Sequence, residues 1–193
     1  MIIRNYEDRD EEGWVRCRTL SFLHTAYFDD VFNKKEHYAN PAIELVAEMN
    51  NQIVGLVDVE YERQEKTVCS RGEGLGGMIW HIAVHPDFYR QGIGEQLLKN
   101  AEILAKNLGL NRFEAWTRDD QWVQNWYEKM NFQKVDSYYH IYFEENEMKG
   151  KIKGEVPNLY PVKSFAHYEG KNIEQFRGNQ RVHECVCYEK YFE

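Results

Sequence analysis

Apolar residues alternate with polar ones in some stretches of this chain and recur at helical spacing in others, and these two periods divide it into elements. Residues 2–6 read as a starting strand. Asp8 or Asp10 is placed to cap a helix running to about Leu23, with Trp14, Val15, Cys17, Leu20 and Leu23 on its apolar side. A stretch rich in aromatics follows (Tyr27, Phe28, Phe32, Tyr38), helical or looped over 29–38 and closed by Pro41. Two strands, 43–48 and 53–61, flank Asn50-Asn51. Asparagine tolerates positive φ, so the pair predicts a tight hairpin. In the second strand Val57, Val59 and Tyr61 alternate with Asp58, Glu60 and Glu62, the pattern of a half-buried strand. Residues 64–77, polar and holding Gly72, Gly74, Gly76 and Gly77, predict a mobile loop.

The next apolar run, 78–84, predicts a buried strand, and a turn containing Gly92 and Gly94 joins it to an amphipathic helix over about 93–108. Ile93, Leu97, Ala101, Leu104 and Leu108 form that helix's stripe, and Gly109 ends it. A strand over 112–116 leads to a helix over about 121–130, capped by Asp119 or Asp120, with Trp122, Val123, Trp126, Tyr127 and Met130 on its apolar side. Asn131 suits the left-handed position that stops it. A long strand over 132–143, an aperiodic stretch over about 144–181 and a last strand over 182–191 complete the chain. This order predicts a mixed α/β fold. Its central mixed sheet is partly parallel in the β-α-β-α-β middle and carries helices on its faces. Residues 1–193 are expected to form a single domain, with the aperiodic stretch inserted before the last strand as a lid, a small subdomain or an oligomer contact.

A formal net charge of −8 argues against a broad nucleic-acid surface. The four cysteines, Cys17, Cys69, Cys185 and Cys187, form no C-x-x-C pair and read as reduced, buried or half-buried thiols, with no metal implied. The N-terminus turns acidic at once, unlike a signal peptide, and no apolar run has the length to cross a bilayer. A cytoplasmic protein without a membrane partner is expected.

The turn before the second helix is where chemistry concentrates. A strand feeding a glycine turn and a helix N-terminus presents unpaired N–H groups and the positive end of a helix dipole to an anion. A Walker loop is excluded because no Gly-Lys-Ser/Thr follows, and the dinucleotide fingerprint is excluded because Leu97 occupies the third glycine's place. With Ile82-Ala83-Val84-His85-Pro86, then Tyr89-Arg90-Gln91-Gly92-Ile93-Gly94, and then Tyr127-Glu128-Lys129-Met130-Asn131-Phe132, the chain resembles the GNAT superfamily of acyl-CoA-dependent N-acetyltransferases. The resemblance covers about residues 2–143 and the last strand, not the insertion. It implies a twisted, mostly antiparallel mixed sheet with helices on both faces. Three letters depart from the family pattern. Tyr89 stands where Gln or Arg is usual, Asp120 stands where many members have a cofactor-contacting Asn, and Asn131 replaces Gly. Asp120 is therefore read as a helix cap.

The resemblance implies acetyl-CoA as co-substrate. Its pyrophosphate would lie on the backbone of Arg90, Gln91, Gly92, Ile93, Gly94 and Glu95, and its pantetheine arm would pair with Ile82, Ala83 and Val84. It further implies direct attack by a primary amine of a small molecule or peptide, with Tyr127 protonating the departing thiolate. A phenol with a pKa near ~10 is protonated at neutral pH and suits that role. The base that takes the amine's proton is less marked. His81 is the first choice because it lies on the key strand and titrates in the useful range, with Glu60, Glu62 and Glu114 behind it. Phe165, His167, Tyr168, Phe176 and Tyr160 of the insertion either line an acceptor pocket or form a small core of their own. A catalytically silent acyl-CoA-binding module of the same fold is the alternative, and a homodimer fits either reading.

Overall fold

The computed structural model describes residues 1–149, 151, 155, 159 and 161–192. In chain order these form β1 (Ile2–Asn5), α1 (Glu11–Phe22), β2 (Ala42–Met49), β3 (Gln52–Tyr61), β4 (Gly76–Val84), α2 (Ile93–Asn107), β5 (Arg112–Thr117), α3 (Gln121–Lys129), β6 (Gln133–Glu144), β7 (Lys163–Tyr168) and β8 (Val182–Tyr191). The strands make one eight-stranded sheet in the order β1-β2-β3-β4-β5-β8-β6-β7. Only β4 and β5 run parallel; the other neighbours are antiparallel. The predicted hairpin closes β2 on β3, with Asn50 and Asn51 at φ 52° and 61°. Asn131 and Gly109 end their helices at φ 66° and 81°. None of the described helices is long and apolar enough to cross a membrane.

The pleat sorts the core onto two faces. Ile43, Leu45, Ala47, Val57, Val59 and Ile79 meet α2 through Ile93, Leu97, Leu98, Ala101 and Ala105, together with Tyr127 of α3 and Phe132. On the other face Val46, Ile53, Leu56 and Ala83 meet Trp14 and Cys17 of α1. Two predicted stripes shift. In α2, Leu98 and Ala105 are buried, while Leu104 and Leu108 are exposed. In α1 the buried face is Trp14, Cys17, Arg18 and Ser21, and Leu23 is exposed. The predicted watery face of β3 is also buried, with Asp58, Glu60 and Glu62 at 0, 7 and 1% exposure. The stretch after α1 and the 62–76 loop cover these carboxylates and supply their partners.

The 62–76 loop is not free, in contrast to the expectation from its glycines. Glu62 accepts N–H bonds from Cys69 (3.0 Å) and Gly76 (2.9 Å). Glu114 accepts from the Ser70 hydroxyl (2.7 Å), the Arg71 N–H (2.8 Å) and the Trp116 indole (2.9 Å). Burial pushes the Glu114 carboxyl up, but these donors outweigh it and hold it below the usual range. Its stabilising effect is therefore full above the unfolded glutamate value of about 4.3 and is lost as pH falls through the lowered folded value. Glu114→Gln is expected to cost about 1–3 kcal/mol at pH 7. The gap to wild type should narrow as pH falls below the unfolded value of about 4.3, as read by urea denaturation across a series of pH values.

The insertion contributes β7, antiparallel to β6, and short helical turns at Glu145–Met148 and Ile173–Phe176. Its aromatics divide by strand face. Tyr168 and Phe176 join Ile141, Phe143 and Met148 in a small core. Phe165 and His167 lie on the opposite face against His140, at ring distances of 4.9 and 4.8 Å. Tyr160 lies outside the described residues.

Candidate active site

The site begins where β4 and β5 part. Their parallel pairing runs from Gly76↔Arg112 to Ile79↔Ala115 and ends there, while β4 continues to Val84. The register of β3 on β4 skips Trp80, between Asp58↔His81 and Val59↔Ile79, which marks a bulge at that point. Beyond it Ile82, Ala83 and Val84 keep β3 as partner on one edge and face a gap on the other. A cavity of about 910 Å³ fills this gap. Its walls come from both faces of the sheet: Arg18, Ser21 and Phe22 of α1 on one side, Ile93 and Gly94 of α2 with Trp126 and Tyr127 of α3 on the other.

The glycine turn lines part of this cavity. Arg90 and Gly92 adopt left-handed conformations (φ 60° and 76°) on either side of Gln91, just before the α2 N-terminus; alternating backbone of this kind is the type that builds anion-binding nests. A Cβ on Gly92 would meet only Gln96, at 3.8 Å, so glycine is required there by conformation rather than by crowding. Arg90, Gly92, Ile93, Gly94 and Glu95 line the cavity together with Ile82, Ala83 and Val84, whereas Gln91 is not part of its wall. The Glu95 carboxylate pairs with Lys99 at 2.7 Å. Tyr89 is half-exposed at the rim, 6.3 Å from the Trp122 ring, and its hydroxyl donates to the Ser21 carbonyl at 3.3 Å.

Tyr127 also lines the cavity, 4% exposed, stacked on Tyr188 (5.4 Å, 14°) and edge-on to Phe132 and Trp126. Its hydroxyl makes no hydrogen bond among the described residues. Burial pushes the phenol above its ordinary pKa, with Tyr188 adding to the effect, so it stays protonated. Asp120 lines the cavity but does not cap α3 through its side chain. Its two oxygens accept the Ala26 N–H at 3.2 and 2.9 Å, tying the turn after α1 to α3.

His81 is a further wall residue, 5% exposed, edge-on to Trp14 and Phe32. Arg18 Nε donates to His81 Nδ1 at 3.3 Å, and His81 Nε2 lies 2.9 Å from Glu36. A nitrogen that accepts from arginine carries no proton, so the neutral ring holds its hydrogen on Nε2 and donates it to Glu36. That hydrogen bond overcomes burial and keeps the Glu36 carboxyl below its usual range. Arg18 is itself held by the Asp30 carbonyl (2.6 Å) and carboxylate (2.9 Å). Of the other carboxylates considered as bases, Glu62 and Glu114 fasten the 62–76 loop, and Glu60 accepts from Asn40 and from the Trp80 indole (2.8 Å). Sequence reasoning missed Arg18, Ser21 and Glu36. Arg18 and Ser21 had a signal, since they continue the Trp14–Cys17 stripe with polar letters; Glu36, in an irregular stretch, had none.

All four cysteines are free and buried. Burial pushes the Cys17 and Cys69 thiols up to about 12 and Cys185, on the cavity wall, up to about 11, so none is a nucleophile at neutral pH. Among the described residues no group of three or more His, Cys, Asp or Glu could hold a metal ion.

The model of the acetyltransferase (GNAT) domain matches residues 40–134, from the strand before the hairpin through the glycine turn to the end of α3 and the start of β6. An acetyltransferase of Pectobacterium atrosepticum is 30% identical over 141 residues, 70% of this chain and 90% of its own. Among solved structures, a GNAT-family acetyltransferase from Streptococcus pneumoniae superposes with a TM-score of 0.62 at 16% identity, over 99% of both chains. One from Elizabethkingia anophelis, with acetyl-CoA bound, gives 0.56 at 16% identity over 99% of this chain and 97% of its own. The parted strands, the anion turn and the tyrosine thus sit on a sheet shared with these enzymes, and the chain belongs to the GNAT acetyltransferases.

Proposed function

We propose that this enzyme transfers acetyl from acetyl-CoA to a primary amine of a small molecule or peptide by direct attack. The observation that carries the reading is that one cavity at the gap between β4 and β5 is lined by the glycine turn, Tyr127 and His81 together. The Elizabethkingia relative binds acetyl-CoA on the same fold. The pyrophosphate lies on the backbone N–H groups from Arg90 to Glu95, Gln91 contributing through its backbone alone. The pantetheine amides pair with the open edge of Ile82, Ala83 and Val84, as an added strand would. A backbone N–H freed by the bulge at Trp80 polarises the thioester oxygen. Tyr127 gives its proton to the thiolate as the C–S bond breaks.

The amine's proton goes to His81. Nδ1 is its basic nitrogen, and the long bond from Arg18 yields when the amine docks. Glu36 stabilises the imidazolium from Nε2. Release of CoA thiol from acetyl-CoA across a panel of amines tests the reading. Turnover supports it, and acetyl-CoA binding without turnover on any amine leaves a silent acyl-CoA-binding module instead. Gly92→Val is expected to weaken CoA binding at least about tenfold, because valine resists positive φ and crowds the phosphates. Unchanged affinity by calorimetry would displace the phosphate from this turn.

A further inference from the structure

We propose that the α1 side of the cavity selects a singly charged alkyl- or arylalkylamine lacking a carboxylate, bound as its ammonium by Glu36. This deepens the acetyl-transfer reading and rests on it. The walls here are Arg18, Phe22, Asp30, Phe32, Glu36 and Trp80. Three are aromatic, and of the two carboxylates Glu36 is the one not paired with an arginine or lysine. The three guanidinium nitrogens of Arg18 are taken by His81, the Asp30 carbonyl and the Asp30 carboxylate, and its flat face lies 3.8 Å from the Phe32 ring centroid. Asp30 is neutralised by that pair. Glu36 is ionised, its side chain is 43% exposed, and only one of its oxygens is bonded among the described residues. With Arg18 set against Asp30, the subsite therefore carries one net negative charge, from Glu36, which attracts an ammonium and repels a carboxylate, and apolar walls that favour the face of a cation or an aromatic stem.

The charge is set in place before any ligand arrives. Lys35, the residue before Glu36, is 3% exposed and reaches Asp58 at 2.9 Å, with a second contact to Glu44. The Tyr6, Trp14 and Tyr38 rings surround its ammonium at 5.0–5.2 Å. Asp58 and His81 face each other across β3 and β4. Consecutive loop residues thus dock on cross-strand neighbours: Lys35 on Asp58 and Glu36 on His81. Lys35 is a positioning residue for Glu36, which keeps the carboxylate beside His81 rather than free on a loop.

The experiment is thiol release by the full chain with acetyl-CoA and five acceptors: 2-phenylethylamine, phenylalanine, spermidine, a polycationic aminosugar and a peptide with an N-terminal alanine. Phenylalanine differs from 2-phenylethylamine only by its carboxylate, and the expected kcat/KM ratio is at least about tenfold in favour of the amine. Glu36→Gln is expected to raise KM for 2-phenylethylamine about tenfold, with KM for acetyl-CoA unchanged. A misfolded fraction would lower the apparent kcat and leave both KM values in place. Equal use of phenylalanine, preference for spermidine, the aminosugar or the peptide, or an unchanged amine KM in Glu36→Gln would each overturn the subsite. Those outcomes leave acetyl transfer standing. Failure of the wild-type chain to bind acetyl-CoA, or binding without turnover of any acceptor, overturns the transfer reading and this inference with it.

Discussion

Tyr127→Phe is expected to lower kcat for acetyl transfer by about 10²–10³-fold while leaving acetyl-CoA affinity and fold stability in place. The ring is held by stacking on Tyr188 and by the edges of Phe132 and Trp126, contacts that phenylalanine keeps. The hydroxyl has no partner among the described residues, so its removal leaves no buried group unpaired there, and the stability change should stay within about 0.5 kcal/mol. What is lost is a proton donor on the cavity wall. Burial keeps the phenol protonated beyond its ordinary range, so this group should cause no loss of kcat as pH rises to about 10. Steady-state kinetics and calorimetric binding of acetyl-CoA on one preparation separate the effects. An unchanged kcat would place the acid elsewhere, and weakened binding with unchanged kcat would make Tyr127 a wall of the cofactor channel.

The glycine turn at this cavity could be read from the chain because backbone conformation writes itself into letters. Gly92 and Gly94 after an apolar strand, and Asn131 after an amphipathic helix, are residue choices that positive φ or a helix start impose locally. The hairpin at Asn50-Asn51 was readable for the same reason. The surroundings of His81 depend on side chains brought together from distant parts of the chain. Glu36 meets His81 only because Lys35 docks on Asp58, and no period or motif in 24–40 announces either contact. The carboxylates of β3 were misleading because alternation reports which face is polar, not whether that face meets water. Asp58, Glu60 and Glu62 alternate like a solvated strand and are buried under the segments they hold. The glycines of 62–76 misled in the opposite sense. Gly72 and Gly76 leave room against Arg112, whose side chain a Cβ at either would reach within 3.0 Å, so they mark a tightly built loop rather than a loose one.

Arg112→Met should cost about 3–5 kcal/mol of stability, the largest loss expected for any single replacement considered. Arg112 is fully buried at the closed end of the β4–β5 pair, opposite Gly76. Its guanidinium lies 3.0 Å from Glu189, 3.5 Å from Glu114 and 3.9 Å from Glu62, and Nε donates to the Glu73 carbonyl at 3.2 Å. One cation is shared by three carboxylates. Burial already pushes the Glu189 carboxyl above its usual range against the pull of Arg112, so removing the cation leaves that charge without its main counter-ion. Methionine fills the space without supplying charge, and the 62–76 loop would lose the guanidinium that its Glu62 and Glu73 approach. For a chain of this size the loss corresponds to a fall in Tm of about 10 °C. Because the raised carboxyl is relieved by protonation, the deficit from Glu189 should shrink as pH is lowered from 7 towards 5. Arg112→Lys keeps the charge but not the fork, and should recover only part of the loss. Calorimetric scans of the three proteins at pH 7 and pH 5 check this. A deficit below about 1 kcal/mol for methionine would mean that the carboxylates are paired elsewhere and that the apex of the parted strands does not depend on Arg112.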